Sequence, residues 1–364
     1  MKTITTKKKN TWDIISDYRG VLMGISIICI IVFHYVEDCG IYHVHKNGWV
    51  EFFRNYITSS SVDGFLFLSG FGLYYAMKKH PDISQFYKRR FTKILIPYFL
   101  VSIPALCWND LFFEKTGIKA FFSDIFFYSF FTRGMAWFWY ILLICFCYLI
   151  FPFIFRVLDK APDKESEQMR LINLFTFFTM IAIVVQLSNK GFFSNINLAL
   201  LRIPFFCLGC FIGKYSYEKR PISYGTYGLM LLSLFAIQFR KGSKIIFARY
   251  SAAFLNISAC ILIAILFGKL KRFEKLHNCI KKFFEWFGKY SLELYLTHVT
   301  VRGIMRDYGY HTCYGRYELI MVAISIVLAL ILNRLTNLIT KIRIPAIHHA
   351  VSYTHLTLPT NSLV

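Results

Sequence analysis

The 364-residue chain is 56% hydrophobic and 19% aromatic, with a mean hydropathy of +0.48, whereas a soluble domain runs nearer half apolar and about a quarter charged. Its net charge of +22 comes from cations clustered between apolar stretches, not along one basic face, which excludes a nucleic-acid binder and makes a bilayer the expected solvent.

The amino-terminal MKTITTKKKN is basic and polar, and no small-residue cleavage site follows the first apolar run, so no cleaved signal peptide is expected. From there the sequence predicts spans at about 20–37, 62–77, 91–108, 136–155, 171–188, 198–215, 223–239, 250–268, 283–302 and 317–335. The expected fold is therefore an all-α integral membrane bundle of about ten transmembrane helices over residues 13–343. The aromatic segment 120–131 is too short to span and is expected at the interface. With both ends inside, about two thirds of the Lys and Arg fall on the inner side. That asymmetry predicts a multi-pass protein of the cell membrane with both termini cytoplasmic. Arg240, Lys241, Lys244 and Arg249 depart from it as a basic outer loop. The tail Val351 to Val364 follows a finished basic flank without periodicity, resembles a translated adapter scar, and is set aside as non-native.

Ten cysteines raise the question of a disulfide framework, yet Cys29, Cys107, Cys145, Cys147, Cys207, Cys210 and Cys260 lie in apolar runs, where Cys acts as a small hydrophobe. Cys207-x-x-Cys210 also has the spacing of a redox or metal pair. His43-x-His45 offers only two ligands without carboxylate or Cys support, too few for a metal, and no metal site is expected.

A titratable side chain within a span costs roughly 2.5 to 3.5 kcal/mol on insertion scales and is a functional candidate by default. The candidates are His34 at the end of the first span, Asp63 in SVDGFLFLSGFG, Arg202 in LLRIPFFCLGCFIGK, and Glu293 and His298 in FGKYSLELYLTHV. Four of them, His34, Asp63, Arg202 and His298, fall in the outer half under the expected topology, which points to one buried site. A His oriented by an acid such as Asp63 or Glu293 suits removal of a proton from an attacking hydroxyl, and an Arg suits an anion or a developing oxyanion. The competing reading is interhelical packing by hydrogen bonds without chemistry. Glu293 also has Lys289 four residues before it as a partner on its own helix.

Taken in order, IIVFHY, SVDGFLFLSGFGLYY, FYKRRFTKILIPY, WFWYILLICFCYLIFP, RIPFFCLGCFIGK and WFGKYSLELYLTHV resemble the acyltransferase 3 family of membrane acyltransferases over roughly 13–343. The resemblance implies a bundle that takes an acyl group, often acetyl, from acyl-CoA on the cytoplasmic side and passes it to a hydroxyl, commonly of a lipid-linked or surface glycan. It implies that His34 is the essential His, that Arg90 opens the basic turn for the CoA phosphates, and that Ser69, Gly70 and His298 are motif residues. Two positions depart: Met23 stands where the family has an Arg eleven residues before the His, with Arg19 the nearest Arg, and Lys93 replaces the second Arg of the turn, losing its planar fork.

The chemistry of the loops is compatible with that donor. Lys78, Lys79, Lys88, Arg89, Arg90 and Lys93 form one inner cationic cluster suited to CoA phosphates. Lys269, Lys271, Arg272, Lys275, Lys281 and Lys282 form a second, for which positive-inside bias and anionic membrane lipid are sufficient. Trp137 and Trp139 read as interfacial anchors that also suit stacking on a sugar. The rival functions are a transporter or flippase for a lipid-linked sugar and an inert sensor bundle. No inverted repeat supports the transporter.

Overall fold

The computed structural model describes residues 10–42, Gly48, 61–239 and 243–342. His43, His45, Arg240, Lys241 and the tail Val351 to Val364 lie outside the described residues. Among the described residues, fifteen α-helices follow one another: α1 (Asp13–Asp17), α2 (Arg19–Ile41), α3 (Ser61–Lys79), α4 (Ile83–Leu106), α5 (Ile118–Ile125), α6 (Tyr128–Arg133), α7 (Trp139–Asp159), α8 (Lys164–Ser188), α9 (Lys190–Leu200), α10 (Ile203–Tyr217), α11 (Tyr224–Ala236), α12 (Ile245–Leu270), α13 (Glu274–Lys289), α14 (Ser291–Asp307) and α15 (Gly315–Ile342). No strand occurs among the described residues.

Local chemistry sets many of the boundaries. Asp82, Asp163 and Asn189 cap α4, α8 and α9 by accepting from the backbone N–H groups of Gln85, Ser166 and Phe192 at 3.1, 2.8 and 2.9 Å. Pro104 removes a backbone donor near the end of α4, and the next turn widens into a π-helix at Cys107–Phe113. The aromatic interface segment expected at 120–131 becomes α5 and α6, joined at Phe127 with φ 62°, and it leaves Phe122, Phe126 and Tyr128 exposed.

Among the described residues, seven helical stretches are long and apolar enough to cross a membrane: Arg19–Ile41, Ile83–Phe113 (α4 with its π-helical end), Trp139–Asp159, Lys164–Ser188, Lys190–Tyr217 (α9 and α10 together), Ile245–Leu270 and Gly315–Lys341, which fits a multi-pass membrane protein. Three of the ten expected spans fall on other kinds of element. α3 carries Asp63, Lys78 and Lys79 within 19 residues. α11 has only 13 residues before a short 3₁₀ turn. The stretch 283–302 is two helices, because the chain turns at Tyr290 between α13 and α14. Periodic hydrophobicity runs through that turn and conceals it in the sequence.

Two close crossings fix the helices that carry the site, and both depend on small residues, as lipid-immersed packing does. α3 crosses α10 at Gly70 and at the pair Gly209 and Gly213, where a Cβ on Gly213 would come within 2.7 Å of the Phe71 carbonyl oxygen and one on Gly209 would overlap that of Phe67. α2 meets α13 the same way, Gly24 lying on the backbone of Phe284 and Gly288 on that of Gly20. Cys207 and Cys210 are free, fully buried thiols in the first crossing, with Cys210 Sγ against Gly70. They are packing residues there. Gly209→Ala is expected to destabilise the protein by about 1 to 3 kcal/mol, since the obstructing atom is backbone and α3 must move to admit a methyl. An unchanged melting temperature of the purified variant in detergent would show that the crossing is looser than described.

Candidate functional site

At the far end of α2, His34, Glu37 and Asp38 stand at i, i+3 and i+4 and share one face. α14 presents His298 and Arg302, again one turn apart, to that face. Arg302 ties the cluster together: its Nε donates to Asp38 Oδ2 at 3.0 Å, its Nη2 to Glu37 Oε2 at 2.9 Å, and its Nη1 lies 2.9 Å from His34 Nδ1. Thr312 Oγ1 donates to Asp38 as well. His34 Nδ1 is also 3.1 Å from Glu37 Oε2, and one nitrogen cannot donate to the acid and accept from the guanidinium together. In the tautomer with the proton on Nδ1, Glu37 accepts it and Nε2 keeps a free lone pair, the arrangement a general base needs.

His298 is 0% exposed, and its ring centroid lies 5.4 Å from that of His34. Its Nδ1 donates to the Leu294 carbonyl at 2.8 Å, which leaves Nε2 as a buried acceptor without a partner among the described residues. Trp137 packs on α14 at Gly303, the residue after Arg302, where a Cβ would be 3.0 Å from its ring.

Asp63 and Arg202 are brought to each other instead. Arg202 Nε lies 3.0 Å from Asp63 Oδ1, both side chains are buried, and the Trp139 ring covers the guanidinium at 5.0 Å. The expectation that Asp63 or Glu293 orients His34 is corrected by this geometry. Gly64, next to Asp63, lies against Ser26, eight residues and ~12 Å of helix rise from His34. Glu293 sits ~7.5 Å along α14 from His298 on the side away from Arg302, where it accepts from Asn333 Nδ2 at 2.8 Å. Lys289, the alternative partner for Glu293, lies 5.0 Å from the Tyr290 ring centroid. Glu37 takes the orienting place.

The opposite end of α2 gathers cations. Arg19 Nε donates to the Leu68 carbonyl at 3.0 Å, and its guanidinium rests on Gly72, where a Cβ would lie 2.8 Å from Cζ. Only glycine leaves it that room. Arg90, Glu293 and Arg19 are the charged groups near Lys93, and Arg90 and the Tyr148 hydroxyl lie near Arg19. Ser69 joins the group through Tyr148, hydroxyl to hydroxyl at 3.1 Å. Lys93 keeps exposed surface, with α14 packed against its helix, so the group is reached by solvent at Lys93. Arg89 is elsewhere, exposed and bonded to Gln85 at 2.9 Å, and Lys78 is held by Asp159 at 2.8 Å. The inner cluster of six thus divides: Arg90 and Lys93 lie near each other and near Arg19, whereas Arg89 and Lys78 are engaged elsewhere.

Glu37, Asp38, Arg302 and Thr312 are the site residues that the sequence reading missed. The signal was present in FHYVED, where acids follow His34 at helical spacing, and in the four residues from His298 to Arg302. Both lay at the ends of expected spans, where charge is ordinary.

Against known proteins, the acyltransferase 3 family model, described as an acyltransferase domain, matches residues 21–334. No curated protein sequence and no solved structure matches the chain.

Proposed function

Since the chain belongs to this family of acyltransferases over nearly its whole length, we propose that it transfers an acyl group, in the first instance acetyl, from acyl-CoA to a hydroxyl of a cell-surface or lipid-linked glycan. The observation that carries the reading is the polarity of α2: a base held between an acid and an arginine at one end, and three cations, Lys93 among them solvent-exposed, at the other. His34 and Arg19 are 15 residues and ~22 Å apart along the helix. CoA is built the same way, with its phosphates at one end of an extended pantetheine arm and its thioester at the other. In this reading the phosphates lie with Arg19, Arg90 and Lys93, and the thioester carbonyl reaches His34.

His34 Nε2 then takes the proton of the acceptor hydroxyl as its oxygen attacks the thioester carbonyl. The C–O bond forms, the C–S bond breaks, and the proton returns to the departing thiolate to give free CoA. Glu37 keeps Nδ1–H in place and stabilises the imidazolium. The positive-inside asymmetry supports a plasma-membrane protein with cytoplasmic termini and its cationic end on the donor's side.

Acetyl-CoA consumption by the purified protein, with acetylated glycan found by mass spectrometry only in cells that express it, tests the reaction. Absence of both would remove it. The donor end has its own test. Arg90→Ala should raise the KM for acetyl-CoA roughly tenfold or more, as expected for a charge-assisted phosphate contact, while Arg89→Ala should leave it within about twofold. Equal effects of the two would assign the turn to membrane lipid.

A further inference from the structure

Helix α13 has two different faces. Its inner face is used up: Phe284 and Gly288 lie on Gly24 and Gly20 of α2, and buried His277 lies 3.2 Å from the Tyr18 hydroxyl. On the other face, Lys275, Lys282 and Lys289 recur every seven residues and stand nearly in line, all exposed. One residue further round stand Leu276 and Phe283, with Trp286 between them and the lysines, exposed by 53%, 56% and 36%. Glu285 of the same helix is engaged by Lys281 at 3.7 Å, which leaves the lysine stripe without a carboxylate partner among the described residues.

A water-facing surface gains nothing from a Leu, Phe and Trp edge beside its cations. A helix lying in the interfacial plane needs both, with the apolar edge in the acyl layer and ammonium groups at headgroup level. We propose that α13 is such an interfacial helix and that its lysine stripe binds the phosphate headgroups of anionic lipid. The partner is therefore a negatively charged lipid surface at the end of the bundle that carries Arg19. Headgroup binding would press α13 onto the first turns of α2.

Cys279 lies between the two stripes and is the exposed cysteine of the chain, the other nine being buried or half-buried, so it reports on this face directly. The full chain, one copy per nanodisc, is reacted with an uncharged maleimide-polyethylene glycol, with the Cys279→Ser protein as blank. The expected result is slower labelling in discs of phosphatidylglycerol than in discs of phosphatidylcholine by about fivefold or more, the effect of roughly one lysine at an anionic surface. The Lys275→Gln, Lys282→Gln, Lys289→Gln protein should lose that difference, and the corresponding triple Arg protein should keep it. Should the triple Gln protein fail to fold, Lys282→Gln alone is expected to reduce it. Equal labelling in the two lipids overturns the proposal, leaving a solvated face. Protection of the detergent-solubilised protein by free glycerol phosphate would also overturn it, since the ligand would then be a soluble phosphate.

Discussion

The His34→Asn protein should fold, bind acetyl-CoA and transfer acyl groups roughly 10²- to 10⁴-fold more slowly than the native one, the usual cost of losing a general base. Asn keeps a donor that reaches Glu37 Oε2 but has no lone pair in place of Nε2 that can take a proton, so it separates chemistry from packing. Structure should survive, because His34 contributes one link to a cluster whose strongest contacts run from Arg302 to Glu37 and Asp38. Turnover within about threefold of native, measured as CoA release in the presence of the acceptor, would reduce His34 to a packing residue. Glu37→Gln offers a milder check. The amide still accepts from Nδ1–H but carries no charge to stabilise the imidazolium, so the rate should fall less than in His34→Asn.

How far the sequence could be read depended on whether the chemistry was local. His34 was legible because a His within an apolar run has few reasons to be there, and the cations of the basic turn were legible because they are consecutive. Their division was not, because Arg89 and Arg90 differ only in the helix face they occupy, and that face is set by the helices packed against α4, such as α7 and α14. The helical, membrane-embedded character follows from composition alone. The number of helices able to span does not, because a turn such as Tyr290 inside an apolar stretch changes the path of the chain without changing hydropathy. Pairings between distant segments, Arg302 with Asp38 or Arg202 with Asp63, require a topology that a single sequence does not contain. Depth in the membrane is a poor substitute: the sequence puts Asp63 and His34 at one level, yet Gly64, next to Asp63, lies against Ser26, two turns of α2 from His34.

That separation makes the Asp63 and Arg202 pair the second large test, because two roles for it predict opposite outcomes. Both residues are buried, 3% and 4% exposed, so Arg202→Met strips the charge that compensates Asp63 in a medium without water. Breaking a buried pair from one side costs about 3 to 5 kcal/mol, and the melting temperature of the purified protein should drop accordingly. Replacing both partners removes the uncompensated charge. Asp63→Leu keeps the branch at Cγ and Arg202→Met keeps the unbranched stem under the Trp139 ring, so the double variant should recover most of the lost stability, as buried pairs exchanged for apolar residues of similar volume often do. If the pair is a scaffold clasp between α3 and the start of α10, the recovered protein should also transfer acyl groups at close to the native rate. A double variant that melts like the native protein but turns over more than about tenfold slower would place Arg202 at the substrate, where an arginine positions a developing negative charge. One that stays as unstable as Arg202→Met alone would mean that the ion pair itself, not the relief of an isolated charge, holds the two helices together.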